Sequence, residues 1–270
     1  MTSSLPLEGI KARQQKTWAS GDYGAVAAVI HSMSEDLARA ADLSAGWRVL
    51  DVATGTGNAA IAAARCQCAV TGVDYVPELL DRARARAAAE HLTIDFVEGD
   101  AEALPSGDGE WDAVLSVCGV MFAPNQEQTA AELTRVCRPG GTIALANWTP
   151  DGFIGELFRT IGRRVPPPPG VRPPAEWGSE PRLRELFGDR VRDLRITPRE
   201  FVFRFRSPED YADFFRLHYG PTLKAFEALD EDHGKLLHAD LAELAGRFNS
   251  ATDGTAKIRS AYVEVLATRV

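Results

Sequence analysis

The chain has 270 residues, 45% of them hydrophobic and 25% charged, which is typical of a globular protein and not of a disordered chain. Its net charge of −8 and isoelectric point near 5.2 argue against nucleic acid or an anionic membrane as a partner. The sequence contains no apolar run of the ~18 residues that a membrane span needs and no signal-peptide core, so a cytoplasmic location is expected.

Hydrophobic periodicity predicts two N-terminal helices and then a regular alternation of strands and helices. In chain order these elements are helices 9–20 and 24–42, strand 48–53, helix 58–65, strand 69–74, helix 77–90, strands 93–97 and 112–117, helix 126–137 and strand 142–148. The alternation predicts right-handed βαβ units and a parallel sheet with helices on both faces.

The rhythm changes after residue 150, where prolines interrupt the chain. The predicted elements are helices 153–164 and 180–187, strand 191–206, helical segment 208–250 and strand 261–269. We expect one domain over 1–270. Its expected parts are N-terminal helices 9–42, a core over about 43–149 with strands near 191–206 and 260–269, and a helical cap of segments 150–190 and 207–258.

The most informative segment is 49–58, where a buried strand breaks into Gly55-Thr-Gly57 before an alanine-rich helix. A strand, a glycine turn and a helix N-terminus together form a nucleotide-type ligand site. The glycine spacing alone fits NAD(P) and S-adenosylmethionine equally. Asp74, at the tip of the next strand, can accept hydrogen bonds from the ribose hydroxyls of either ligand, although it disfavours NADP.

Three further features favour S-adenosylmethionine. Asp51 lies inside the first strand, which dinucleotide-binding enzymes usually keep apolar. Asp100 follows the third strand, where its carboxylate can accept from an adenine amino group while the Ala101 N–H donates to the ring. The turn 139–141 (Pro-Gly-Gly) joins a helix to the fifth strand.

Together these motifs, over residues 46–148, resemble the class I S-adenosylmethionine-dependent methyltransferases of the ubiquinone/menaquinone-biosynthesis-like subgroup, also called type 11. The resemblance implies an α/β, Rossmann-like fold. Its sheet would be mostly parallel, with seven strands in the order 3-2-1-4-5-7-6, the last strand antiparallel and helices on both faces. It also implies S-adenosyl-L-methionine as the cofactor.

The same resemblance implies a set of cofactor-binding residues at the ends of successive strands and in the first helices. Asp51 and the turn after it would hold the methionine end, Asp74 the ribose, and Ser116 would lie near the sulfonium. The implied set is Trp18, Tyr23, Asp51, Ala53, Thr54, Gly55, Thr56, Gly57, Asp74, Tyr75, Val76, Asp100, Ala101, Glu102 and Ser116.

The methyl acceptor is sought around the fourth strand and the cap. Because the cofactor's methyl group is already activated, the protein mainly has to position an electron-rich acceptor. Segment 116–124 is apolar and lacks the Asn/Asp-Pro-Pro-Tyr/Phe signature, and no double-glutamate hairpin is present. Methylation of nucleic-acid bases and of protein arginine is therefore disfavoured, and Met121 and Phe122 are candidate acceptor contacts.

Aromatic residues recur at helical spacing from Tyr211 onward. This stripe either packs onto the sheet or lines an apolar acceptor pocket. The second interpretation predicts methyl transfer to oxygen or carbon of a small, aromatic or apolar acceptor. Phe215 and Tyr219 are then candidate acceptor contacts, and His218 is a candidate general base.

Alternatives remain at this point. An NAD-linked oxidoreductase is opposed by the absence of a Tyr-x-x-x-Lys pair, and an RNA methyltransferase by the acidity of the chain. A non-catalytic S-adenosylmethionine-binding protein is the third alternative. No metal is expected because Cys66 and Cys68 lack zinc-ligand spacing. The oligomeric state is not predicted.

Overall fold

A computed structural model describes residues 7–270 of the chain. Its helices are α1 (Leu7–Trp18), α2 (Tyr23–Ala40), α3 (Asn58–Arg65), α4 (Pro77–Ala89), α5 (Gln126–Val136), α6 (Phe153–Arg164), α7 (Glu180–Phe187), α8 (Pro208–His218), α9 (Gly220–Glu227) and α10 (Glu231–Phe248). Its strands are β1 (Arg48–Val52), β2 (Ala69–Asp74), β3 (Ile94–Glu98), β4 (Trp111–Val117), β5 (Cys137–Trp148), β6 (Val191–Phe205) and β7 (Ala256–Arg269). No helix in this part of the chain has the length and apolarity needed to cross a membrane.

The side chains of the first βαβ unit explain why its strand and helices pack as they do. In β1, Val49, Leu50 and Val52 are fully buried, as expected for a strand covered on both faces. All alanines of α3 are buried too, because their short side chains allow this helix to pack closely against α2 and β1. Helix α4 then begins at Pro77. Proline fits the first position of a helix because the N–H that it lacks would have no partner within the helix there.

The seven strands form one sheet in the order β3-β2-β1-β4-β5-β7-β6, which is the order implied by the resemblance. The expectation of a mostly parallel sheet is wrong, because the sheet is mixed. Strand β7 pairs antiparallel with both β5 and β6, and β6 and β7 are the two longest strands. Their two ladders therefore contain about as much pairing as the four parallel ladders together.

The segments beyond β5 pack in two places. Helices α6, α8 and α10 contact one another beside the antiparallel strands β6 and β7, around the buried side chains of Phe153, Phe203 and Tyr211. Helix α7 instead packs against α5. The division into core and cap stays a prediction, and residues 1–6 of the predicted domain lie outside the described part of the chain.

Candidate functional site

The carboxyl end of β1 turns sharply into α3 on backbone with positive φ. Ala53, Gly55 and Gly57 have φ values of 53°, 55° and 85°, in the left-handed region that favours glycine. A Cβ on Gly57 would lie 3.3 Å from the Phe96 ring, so a side chain at this position would also be crowded. The turn leaves the first amides of α3 without helical partners at the edge of the sheet.

Asp51 lies in β1 and supports this turn. Its Oδ2 accepts hydrogen bonds from Thr54 Oγ1 at 2.6 Å and from the Ala60 N–H at 2.9 Å. Its Oδ1 is buried and has no hydrogen-bond partner within residues 7–270. Burial raises the pKa of Asp51 to about 7, although both hydrogen bonds oppose the shift. A buried carboxylate oxygen without a partner suits a ligand with a positively charged hydrogen-bond donor.

Asp74 ends β2 and connects the two neighbouring strand ends. Its Oδ2 accepts from the Gly55 N–H at 2.8 Å, and its Oδ1 accepts from the Val76 N–H at 3.0 Å. The side chain is buried, and this burial raises its pKa to about 6 against the effect of the backbone hydrogen bonds. Asp74 therefore holds the glycine turn at the same edge where it can bind a ligand.

Three cavities meet at this edge of the sheet. The strand-end cavity, of about 660 Å³, extends from Asp100 past Asp74 to Cys118. The glycine-turn cavity, of about 330 Å³, lies beside Asp51 and Thr56. The aromatic cavity, of about 380 Å³, lies between α2, α6 and α8. Tyr23 lines all three of them.

Most of the predicted cofactor-binding residues come together in the first two cavities. The strand-end cavity is lined by Trp18, Tyr23, Ala53, Gly55, Asp74, Tyr75, Asp100 and Ala101 of that set. The glycine-turn cavity is lined by Tyr23, Asp51, Ala53, Thr54, Gly55 and Thr56 of it. Gly57, Val76, Glu102 and Ser116 line none of the three cavities.

Ser116 lies deeper in the molecule than the sequence suggested. Its Oγ donates to the Val52 carbonyl at 2.7 Å and accepts from the Val120 N–H at 3.1 Å, and the residue is fully buried. Cys118, two residues further along, lines the strand-end and aromatic cavities instead. Its φ is 52°, so two non-glycine residues, Cys118 and Ala53, adopt left-handed backbone at adjacent strand ends.

Replacing Ser116 with alanine is expected to lower the free energy of unfolding by about 1–3 kcal/mol, because two buried backbone groups lose their partner. Urea denaturation of the variant measures this loss. Ser179→Ala is the matched control, since the Ser179 side chain does not cap α7, which follows it. Equal stability of the two variants would contradict a structural role for the Ser116 hydroxyl.

Lys11 joins the site although nothing in the sequence pattern indicated it. Its Nζ lies 2.6 Å from Asp100 Oδ2 and 2.5 Å from Glu102 Oε2. Partial burial alone would lower the pKa of Lys11, but the hydrogen bonds to both carboxylates outweigh it and raise the pKa. Helix α1 is thereby attached to the loop after β3, at the end of the strand-end cavity where adenine recognition was predicted.

The candidate acceptor contacts divide between the cavity and the core. Phe122, Phe215 and Tyr219 line the aromatic cavity, whereas Met121 is buried and lines none of the three cavities. His218 also lies outside them. Its ring packs 4.8 Å from that of Phe214, so this position gives the predicted general-base role no support.

Other residues of the site could not be predicted from the sequence, because they belong to helices that are far from the strand ends along the chain. Arg86 of α4 donates to the Thr56 carbonyl at 2.6 Å and to Asn58 Oδ1 at 2.7 Å, below the glycine turn. Ile154 and Leu157 of α6 line the aromatic cavity. The amphipathic pattern of α6 indicates that one face of this helix is buried, but it does not indicate what that face contacts.

The central part of the chain matches a known protein family. The family profile described as "Methyltransferase domain" matches residues 49–141, from β1 to the turn within β5. This range contains the glycine turn, Asp51, Asp74 and Asp100.

Relatives extend the match over most of the chain. An uncharacterised protein of Mycobacterium tuberculosis is 43% identical over 239 residues, which cover 87% of each chain. A demethylmenaquinone methyltransferase of Deinococcus radiodurans is 43% identical over 124 residues, which cover 44% of this chain and 52% of the relative. These comparisons do not favour the oxidoreductase alternative.

The fold also has counterparts among solved structures. The YcgJ protein of Bacillus subtilis superposes with a TM-score of 0.63 at 18% sequence identity, covering 88% of this chain and 98% of that one. At this identity the likeness shows the fold alone.

Proposed function

The chain belongs to the class I S-adenosylmethionine-dependent methyltransferases of the ubiquinone/menaquinone-biosynthesis-like subgroup, and we propose that its acceptor is a small, aromatic or apolar organic molecule methylated at oxygen or carbon. S-adenosyl-L-methionine is the cofactor. In this proposal the acceptor binds in the aromatic cavity, and the cofactor extends through the other two cavities.

The residues of the glycine turn fit this cofactor. The buried Asp51 Oδ1 has no partner in the described chain and suits the ammonium of the methionine end. In our proposal Asp74 accepts from the ribose hydroxyls, while Tyr75 and the Asp100–Ala101 segment contact the adenine. When bound, the cofactor supplies a methyl group activated by a positively charged sulfur.

The observation that carries the acceptor proposal is that the aromatic and strand-end cavities adjoin each other. Both are lined by Trp18, Tyr23, Cys118 and Phe122. An acceptor in the aromatic cavity would therefore be separated from a cofactor in the strand-end cavity only by these side chains. Among residues 7–270, no Asp, Glu, Lys, Arg or His lines the aromatic cavity, which favours an aromatic or apolar ring over a phosphate ester or an aliphatic amine.

Transfer of a labelled methyl group to a panel of acceptors tests the proposal. Phenols, enols and hydroxylated polycyclic rings are expected to become labelled, whereas amino alcohols, phosphate esters and oligonucleotides are not. Labelling confined to the second group would contradict the proposed acceptor class.

The affinity for S-adenosylhomocysteine is expected to fall as the pH is lowered through about 7 and 6. The ammonium and ribose hydroxyls of the ligand need ionised Asp51 and Asp74, whose pKa values in the free protein are raised to about 7 and about 6. Each carboxylate that must be deprotonated for binding costs up to about tenfold in affinity per pH unit below its pKa. Calorimetric titration over this range measures the effect, and Asp51→Asn should remove the component near 7.

The stability of the ligand-free protein should change in the opposite direction. A folded-state pKa above the unfolded value means that the folded protein binds the proton more tightly. Asp51 and Asp74 therefore destabilise the fold when ionised, and this effect is relieved as the pH falls through about 7 and 6. The difference in the free energy of unfolding between wild type and Asp51→Asn isolates the Asp51 contribution. If wild type lost stability relative to this variant as the pH fell through about 7, the assignment would be contradicted.

A further inference from the structure

Within residues 7–270, the side chains that line the aromatic cavity include hydrogen-bond donors but no carboxylate, histidine or amine that can act as a base. The lining residues whose side chains carry a hydrogen-bond donor are Tyr23, Tyr219, Cys118, Trp18 and Trp148. The carboxylates of Asp51, Asp74 and Asp100 belong to residues that line the other two cavities.

The two tyrosines form a pair around one indole ring. The rings of Tyr23 and Tyr219 each lie 5.6 Å from the ring of Trp18, in edge-on geometry. No hydrogen bond joins either hydroxyl to another group within residues 7–270, and neither hydroxyl is among the fully enclosed polar atoms without a partner. Within this range both hydroxyls are thus unbonded and accessible. Tyr219 lines only the aromatic cavity of the three, whereas Tyr23 lines all three.

None of the titratable groups facing this cavity releases its proton readily. Burial raises the pKa of Tyr23, of Tyr219 and of the Cys118 thiol above their ordinary values. The pKa of Tyr23 is raised further by the negative charges that Cys118 and Asp74 carry when ionised. The pKa of Tyr219 is raised in the same way by Tyr23 and Cys118, so these groups lie close together. At neutral pH these groups are therefore donors.

We infer that the acceptor is an acidic phenol or enol that enters the aromatic cavity with its reacting oxygen already ionised, and that the Tyr23 and Tyr219 hydroxyls donate hydrogen bonds to this oxyanion. This inference rests on the proposed function and narrows its acceptor class. The acceptor releases its proton to water before it binds. In the transfer, the oxygen–carbon bond forms as the sulfur–methyl bond breaks, and the electron pair of the broken bond stays on sulfur.

The negative charge of the proposed acceptor leads to a specific prediction about when it binds. An oxyanion alone in a cavity without charged side chains is strongly disfavoured, because it loses its hydration. Two hydroxyl donors compensate part of this loss, and a positive charge in the adjoining cavity compensates a further part. The cavity should therefore bind an anionic acceptor well only when the strand-end cavity holds a cationic ligand.

The test uses 4-nitrophenol, which absorbs visible light only when it is ionised, and follows binding without turnover. It is titrated into the protein saturated with sinefungin, an unreactive cofactor analogue with an amine in place of the sulfonium, or with S-adenosylhomocysteine, whose sulfur carries no charge. The expected result is binding of the phenolate with sinefungin, and at least about tenfold weaker binding with S-adenosylhomocysteine.

Tyr23→Phe and Tyr219→Phe are each expected to weaken phenolate binding by about 10- to 100-fold, the usual effect of losing a hydrogen bond to a charged group. Tyr262→Phe is the control, because Tyr262 packs against Trp148 but lines none of the three cavities. Thermal unfolding of each variant with sinefungin shows whether it is folded and binds the analogue.

Three results would each overturn the inference: absence of binding, binding of the neutral phenol, and unchanged affinity in both phenylalanine variants. Binding of the neutral phenol would quench tryptophan fluorescence while the visible absorbance falls. The proposed function fails separately, if no apolar acceptor in the labelling panel is methylated. Methylation of neutral apolar acceptors together with absent phenolate binding would retain the proposed function and reject this inference.

Discussion

Replacing Asp74 with alanine is expected to weaken S-adenosylhomocysteine binding by at least about 100-fold. Each lost hydrogen bond to a charged group costs about 1.5–3 kcal/mol, and two ribose hydroxyls lose their acceptor. The Gly55 and Val76 N–H groups lose theirs as well, so the glycine turn is no longer held at the end of β2. Isothermal titration calorimetry measures the change.

Two further variants separate ligand recognition from folding. Asp74→Asn keeps one acceptor oxygen and should give an intermediate loss of affinity. Asp95→Ala is the matched control, because Asp95 is an exposed carboxylate on the neighbouring strand β3. If Asp74→Ala unfolds at a temperature close to that of wild type and binds within about threefold of it, Asp74 does not hold the cofactor.

Filling the aromatic cavity should abolish methyl transfer while cofactor binding persists. Val26 of α2 is buried and lines this cavity alone. We expect Val26→Phe to lower kcat/KM for the acceptors found in the labelling panel by at least about 100-fold, because the added ring occupies the volume that the acceptor needs. The affinity for S-adenosylhomocysteine should stay within about threefold of wild type.

The matched control for this variant lies one turn away on the same helix. Val29 is partly buried and packs against the core but lines none of the three cavities. Val29→Phe makes the same side-chain change and should retain transfer activity. Equal losses in both variants, or full activity in Val26→Phe, would show that the acceptor does not occupy the aromatic cavity.

The donor half of the site was largely predictable because its chemistry is local in the chain. Asp51 lies in β1, the glycine turn follows β1 and Asp74 ends β2. The carboxyl ends of adjacent parallel strands meet at one edge of a sheet. Once a strand has its place in the sheet, the backbone restricts the positions that the residues at its end can take. The cofactor could therefore be inferred from spacing and residue type, together with the resemblance to a family.

The aromatic face of α8 shows where this reasoning stops. Its spacing predicted one stripe, yet within it Phe215 lines the aromatic cavity while Tyr211 is enclosed in the core. Helical periodicity identifies the buried face but not the neighbouring element that each turn contacts. Met121 and Phe122 are adjacent in the chain, yet only Phe122 lines the aromatic cavity, whereas Met121 is buried and lines none of the three.

By itself, the sequence determined the order of strands and helices, the glycine turn and the carboxylates that identify the cofactor. Only the tertiary structure decided that the sheet is mixed, that Ser116 bonds to the backbone while Cys118 lines the cavities, and that His218 lies apart. It also brought Lys11 to Asp100, 89 residues along the chain. Backbone geometry restricts groups a few residues apart, whereas contacts between distant elements depend on how whole helices pack against the sheet.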